Sequence, residues 1–411
     1  MKSIYIIITP TIKNAGGSQI YSLNKVRFMQ KQGFSTYIFH ANIGRNWVIE
    51  ELKQYERYGI DEFKFPAQYF TNHRRSRIIN KIITNVEYSE VDRVIIESHT
   101  EICATWGEMV ADRMSAKHIV YLLTEYPHIK QSARGFFDFL HYKLERKELV
   151  GISKVTLKQL FKGWLDIPED KCYALPATCS NTLGEIHWES PISFNDYDYI
   201  AGSIGRLDKP FVIPMIKEFL SFANKHQENS FLFVFVGGGG KSRVKSIKKL
   251  FERTSNVALF VTGEIYPIPI NLIKEIDVFL SIAGSCKVSS TLGKPTISFD
   301  ANDSHPIGIV GVTTNNTTYR SINEPIIGVT SLLQEILINK KYKEGKNIQL
   351  DIAQMNNIDF TNHLDFLASG TNDNCLYDIS AMTLTMTDII KKTAIKVLGI
   401  NFFFELKTIL F

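Results

Sequence analysis

The chain has 411 residues, of which 44% are hydrophobic, 22% charged and 12% aromatic, with a formal net charge of +5. That composition excludes disorder, collagen and low-complexity sequence, and the length suits two domains of roughly 100 to 200 residues each. The charge is too mild and too dispersed for nucleic-acid binding, and five cysteines (Cys103, Cys172, Cys179, Cys286, Cys375) without a C-x-x-C pair support neither a disulfide framework nor a structural zinc site.

The first apolar run, Ile4 to Ile8, ends at Pro10. It is too short for a signal-peptide core or a membrane span, so the cytoplasm is the expected location. Short β-branched runs predict strands at Ser3 to Thr9, Ser35 to His40, Arg93 to Glu97, His118 to Thr124 and Leu149 to Ser153. Helical patterns fill the gaps, which is the alternation of a parallel α/β sheet.

Between the first strand and a helix predicted from Gln19 to Gln32 stand Gly16 and Gly17. A glycine pair there lets a ligand approach backbone N–H groups at a helix start, where phosphate fits; a tight turn alone would require the same glycines. His73, Arg74, Arg75, Arg77 and Lys81 open an amphipathic helix, which reads as a solvated face or as a contact for anionic lipid headgroups. The strand Arg93 to Glu97 leads to Ser98-His99-Thr100, and the next ends at Thr124-Glu125. An imidazole and a carboxylate at neighbouring strand ends suit base chemistry at a hydroxyl, so His99 and Glu125 are the candidate catalytic residues, against the structural role that a lone His or Glu more often has.

From Cys179 to Tyr197 the pattern lapses into polar and turn residues, which divides the chain into a domain at 1–180, a linker at 181–196 and a second domain at 197–381. Strands are predicted there at Tyr199 to Ile204, Phe231 to Val236, Val257 to Val261, Val278 to Ile282 and Thr296 to Phe299. Doubly wound sheets bind ligands beyond the carboxyl ends of their strands. There, Arg206 and Lys209 suit a diphosphate, and Gly284 and Ser285 open a helix toward the same crevice. The run Gly237 to Ser242 misses the P-loop pattern, because its first glycine would fall at Phe235. A dinucleotide dehydrogenase fares as poorly, since G-x-G-x-x-G is absent after the first strand. Helices are predicted at Ile326 to Leu337 and Met382 to Leu398, and the tail at 382–411, with Phe402, Phe403, Phe404 and Phe411, is expected to pack on the first domain or to dip into a membrane interface.

Together these segments resemble the GT-B glycosyltransferases of the retaining family 4 type over roughly residues 1 to 300. The likeness rests on Gly16-Gly17, His99 in I-E-S-H-T, Val150-Gly151-Ile152-Ser153, Ile204-Gly205-Arg206-Leu207, the glycine turn after Val236, Val261-Thr262-Gly263-Glu264, Ile276-Asp277-Val278-Phe279 and Gly293-Lys294-Pro295-Thr296-Ile297. It implies two doubly wound Rossmann-like domains facing a central cleft. It also implies a hexosyltransferase-type enzyme that moves a sugar from a nucleotide-diphosphate donor to a glycan or lipid-linked acceptor, with no metal or other cofactor. Gly16, Gly17, Arg206, Lys209, Gly284, Ser285 and Ser289 would hold the donor phosphates, and Gly237, Gly238, Thr262, Gly263 and Glu264 would line the nucleotide side. The run Ala283 to Pro295 looks like a divergent branch tied to bacterial capsular or exopolysaccharide assembly, which would place the protein at the inner face of the plasma membrane. Two departures stand out. Lys209 follows Arg206 by three residues rather than five, and Val288 occupies the place of the second glutamate of the family's Glu-x7-Glu motif. These departures keep open a catalytically silent binding or assembly protein of the same pathway.

Overall fold

A computed structural model of the chain describes residues 2–44, 47–87, 92–124, 127, 129–130, 133–177, 183–186, 188–342, 359–369 and 375–410. It divides into two compact units, one made of Met1–Asn14, Tyr21–Thr178 and Ile358–Phe411, the other of Ala15–Ile20 and Cys179–Asn357.

The first sheet contains β1 (Ser3–Thr9), β2 (Phe34–His40), β3 (Glu56–Gly59), β4 (Arg93–Ser98), β5 (Lys117–Leu122) and β6 (Leu149–Gly151), all parallel, in the order β3-β2-β1-β4-β5-β6. Ile4, Ile6, Ile7 and Ile8 are fully buried because a central parallel strand is covered on both faces, which is why β1 reads as an unbroken apolar run. The helices are α1 (Gly17–Lys31), α2 (Asn72–Thr84), α3 (Glu101–Met114), α4 (Arg134–Glu145) and α5 (Lys154–Leu160). Thr100 starts α3 by accepting a bond from the Cys103 N–H at 3.2 Å. At Gly107 this helix presses on the sheet so closely that a Cβ would lie 2.2 Å from Ser98 Oγ and 2.5 Å from His118 Nε2. Strand β3 escaped the sequence reading because Glu56-Arg57-Tyr58-Gly59 is a polar edge strand without an apolar run.

The second unit carries β8 (Tyr199–Ile204), β9 (Phe231–Val236), β10 (Val257–Val261), β12 (Val278–Ser281), β13 (Thr296–Phe299) and β14 (Pro306–Ile309), in the order β10-β9-β8-β12-β13-β14. All pairs are parallel except the edge strand β14, which runs antiparallel to β13. Between them lie α6 (Val212–Asn224), α7 (Lys241–Phe251), α8 (Ile270–Lys274), α9 (Gly284–Thr291) and α10 (Val329–Leu333), the last continuing as a π-turn over Gln334–Ile338. Inside the expected linker, β7 (Leu183–Gly184) pairs with β11 (Ile268–Pro269).

The chain then returns to the first unit. Helix α11 (Thr361–Ser369) buries His363 and Leu367, α12 (Met386–Leu398) buries Ile395, and α13 (Ile400–Leu410) begins at the buried Ile400. Phe403 and Phe404 lie 5.7 and 6.1 Å from the ring of Phe65, while Phe402 faces solvent and Phe411 lies outside the described residues. The return is under way by Phe360, earlier than residue 382, because Phe360, His363, Leu367 and Ile379 already contribute to the buried interior of this unit.

Candidate functional site

In the second sheet the chain runs from β8 outward through β9 and β10, then resumes on the opposite side of β8 with β12. The reversal lies between β8 and β12, where side-by-side strand ends open a crevice. Gly205, Arg206 and Lys209 follow β8, and Gly284 and Ser285 follow β12. A Cβ on Gly205 would stand 3.7 Å from Ser285 Oγ, so these two loops are neighbours. Arg206 is exposed, with Nε 3.5 Å from Asp208 Oδ1. An exposed pair of that length holds weakly, so the guanidinium can turn to a doubly charged ligand.

The β8 and β9 loops are tied together by the backbone. Gly205 donates to the Val236 carbonyl and Leu207 to the Gly238 carbonyl, each at 3.0 Å. Gly237 has φ +151°, and a Cβ there would fall 2.0 Å from the Gly205 carbonyl oxygen, so only glycine fits. Its N–H is already given to Thr262 Oγ1 at 3.1 Å, and that hydroxyl donates to the Gly263 carbonyl at 2.8 Å. Thr262 and Gly237 thus brace the loop, while Gly238 and Glu264 lie in contact beside it, 3.2 Å from the Gly238 Cβ position to Glu264 Cγ. Arg243 on α7, which the sequence reading passed over, donates from Nε to the Leu207 carbonyl at 2.9 Å. Its signal was the basic segment Lys241-Ser242-Arg243 just after the glycines.

At the start of α9, Ala283 takes φ +53°, a left-handed value that costs a residue with a Cβ on the order of 1–3 kcal/mol. The Ser285 and Cys286 N–H groups already donate to the Ile282 and Ala283 carbonyls at 3.2 and 3.1 Å, so Ser285 turns its hydroxyl, not its N–H, toward the neighbouring Gly205 loop. Ser289 does not face the crevice. It is fully buried, with Oγ 2.7 Å from Thr296 Oγ1 and 3.2 Å from the Cys286 carbonyl, because it lies further along α9 than Ser285, where the helix packs on β13.

Within Ala15–Ile20, the short segment that belongs to the second unit, Gly16 accepts from the Gln19 and Ile20 N–H groups at 3.1 and 3.0 Å, so the pair Gly16-Gly17 forms the turn that opens α1. His99 follows β4 and is buried, with Nδ1 3.1 Å from Thr9 Oγ1 and Nε2 2.8 Å from Glu97 Oε1. Both ring nitrogens therefore have protein partners. Glu125 lies outside the described residues.

His99 belongs to a buried charged cluster that the sequence reading did not assemble. Glu97 accepts from Tyr5 Oη at 2.5 Å and lies 3.8 Å from Lys25 Nζ, and Lys25 Nζ is 2.9 Å from His363 Nδ1. Burial pushes the Glu97 carboxyl up, but the Lys25 charge and the His99 bond prevail and hold it well below the usual carboxylate range. Burial lowers Lys25 to about 8 against the opposing pull of Glu97, and burial together with the Lys25 charge lowers His363 to about 4. A cavity of about 10 Å³ adjoins Lys25, Glu97, Tyr121 and His363, and Val150, Leu175 and Leu367 give the rest of its wall an apolar character. Lys25 and Glu97 were legible only as lone charges in apolar stretches, Lys25 between Leu23 and Val26, Glu97 after Val94-Ile95-Ile96.

No protein-family model and no curated protein matches the chain in sequence. Solved structures do match. A glycosyltransferase from Rickettsia africae is 16% identical with a TM-score of 0.55, over 90% of this chain and 99% of that one. Anabaena HepE in complex with UDP and glucose is 11% identical with a TM-score of 0.57, over 90% of this chain and 100% of that one. HepE in complex with UDP-glucose gives 10% and 0.58, over 89% and 98%. With two Rossmann-like sheets in one chain, these likenesses show the fold to be GT-B.

Proposed function

We propose that the chain is a glycosyltransferase whose second unit holds a nucleotide-diphosphate sugar and which passes the sugar to a hydroxyl of a glycan or lipid-linked acceptor. The observation that carries this reading is the convergence of Gly205, Arg206, Gly237 and Ser285 on neighbouring strand ends at the switch point of the second sheet. Arg206 supplies a planar fork for two phosphate oxygens, Lys209 a second positive charge, and Ser285 a hydroxyl, a set that stabilises a leaving diphosphate without a proton being moved. The Rickettsia structure bears the name of a glycosyltransferase and HepE is solved with UDP and with UDP-glucose, which supports a uridine nucleotide as the first donor to test. The retaining outcome, the family 4 subtype and a place in bacterial surface polysaccharide assembly belong to the same proposal and rest on the sequence resemblance. His99, with both nitrogens engaged, would act there by fixing Glu97 and the end of β1 rather than as an open base.

Calorimetry with UDP, GDP and their nucleosides on the wild type and on Arg206→Ala tests the donor site. We expect UDP affinity to fall about tenfold to a hundredfold while uridine affinity is unchanged, because a charged hydrogen bond is worth roughly 1.5 to 3 kcal/mol. An equal loss for both ligands moves the phosphate site elsewhere.

A further inference from the structure

Helix α12 is amphipathic the wrong way round. Its one acidic residue, Asp388, turns inward, accepting from Tyr69 Oη and from the Thr385 N–H and hydroxyl, and Ile395 packs into the core of the first unit. The opposite face carries Met386, Ile390 and Val397, spaced four and seven residues apart and 74, 66 and 75% exposed, with Ile389 and Thr393 beside them. Thr385 and Asp388 form a reciprocal capping box, so the helix start is well formed and presents this stripe as a fixed surface. The exposed ring of Phe402 on α13 follows it in the chain.

Charge says what this surface meets. Within Met386–Leu398 there are three lysines against the single inward-turned aspartate, and Lys396 is exposed along the apolar stripe. Lys392 donates to the Gln68 carbonyl at 3.1 Å, which sets α12 against the segment that leads straight into α2. Helix α2 holds Arg74, Arg75, Arg77 and Lys81 with no acid, and Arg77 and Lys81 face solvent. Glu62 pairs with Arg74 at 2.9 Å and lies 4.0 Å from Arg77, but the outer face of α12 itself carries no carboxylate, and an exposed apolar ridge with Lys396 along it suits the interfacial zone of an anionic bilayer. Among the described residues no helix is long and apolar enough to cross a membrane, so contact would be from one side.

We propose that Met386, Ile390 and Val397 insert into the surface of an anionic lipid bilayer, with Lys391, Lys396 and the exposed cations of α2 against its headgroups. The proposal stands independently of the transferase reading. Its test is flotation of the full chain with vesicles of phosphatidylcholine containing about one third phosphatidylglycerol, and with phosphatidylcholine alone. We expect binding to the anionic vesicles, a drop of at least about tenfold in Ile390→Asp/Val397→Asp, and a drop of about fivefold per charge in Lys391→Gln and Lys396→Gln. No flotation, or flotation unchanged in the aspartate double variant, overturns the proposal. So does a dimer in lipid-free sedimentation that the double variant abolishes while vesicles bind neither form, since that makes the ridge an interface between copies. Both substituted side chains are solvent-facing, and equal thermal melting confirms the fold. Should the variant melt lower, hydrogen exchange on the wild type decides: vesicle-dependent protection at Met386–Leu398 supports the proposal, and none overturns it.

Discussion

His363 sets a pH limit on the first unit. Its Nδ1 lies 2.9 Å from Lys25 Nζ and its Nε2 3.1 Å from the Pro176 carbonyl oxygen. An ammonium can only donate and a carbonyl can only accept, so the arrangement demands a neutral imidazole with its proton on Nε2. Protonating Nδ1 would break the bond to Lys25 and set two cations together in a buried site. The depression from 6.5 to about 4 expresses this. Between those values the unfolded chain takes up a proton that the folded chain refuses, so stability is full above pH 6.5 and is lost as pH falls toward 4. One pKa unit corresponds to 1.36 kcal/mol, and the loss on moving from pH 7 to pH 4 is therefore about 3 kcal/mol from this one group. Other carboxylates also titrate in that window, so the measurement is a difference. Urea unfolding of the wild type and of His363→Gln at both pH values should show the wild type losing about 3 kcal/mol more, because the glutamine amide can accept from Lys25 and donate to Pro176 without titrating. Equal losses in the two proteins, or an imidazole NMR titration of His363 near its ordinary value, would refute the reasoning.

Two further outcomes follow from distances already given. Gly237→Ala should destabilise the second unit by about 2–4 kcal/mol in urea, since the new Cβ meets the backbone oxygen of Gly205 and the loop cannot yield without losing its bond to Thr262, whereas Gly240→Ala, with nothing within 4 Å of its Cβ position, should change stability by less than about 0.5 kcal/mol. His99→Ala should lower the melting temperature by removing one partner of the buried Glu97 carboxylate, at a cost of about 1–3 kcal/mol, while the turnover of the folded fraction stays within a few-fold; a hundredfold fall in kcat in a protein of unchanged stability would return His99 to the chemistry.

The sheets were readable because parallel strands buried on both faces must be continuous apolar runs, as at Ile4–Ile8 and Phe231–Val236. Loop residues after those strands were readable for the same reason, since the strand end locates Arg206 and Ser285 without further information. What stayed hidden depends on partners distant in the chain. Lys25 and His363 are 338 residues apart, and neither residue's neighbours hint at the other. The face on which Ser289 would lie could not be known without the packing of α9 on β13. Nor could the outward turn of the α12 apolar stripe, because periodicity shows that a helix has an apolar face but is silent on which way that face points.

The order of synthesis gives the returning segment a consequence of its own. A ribosome makes β1 well before α12 and α13, yet Phe360, His363, Ile379, Ile395 and Ile400 are buried in the same unit as β1. Of the two units, the one begun earlier is thus completed later, and until the returning segment is made Lys25 waits without His363 and Phe65 without the rings of Phe403 and Phe404. Meanwhile the second unit, which is nearly continuous in the chain, can close. A nascent chain that has emerged as far as Asn357 should therefore hold a finished second unit tethered to an unfinished first, with an apolar surface that chaperones would recognise.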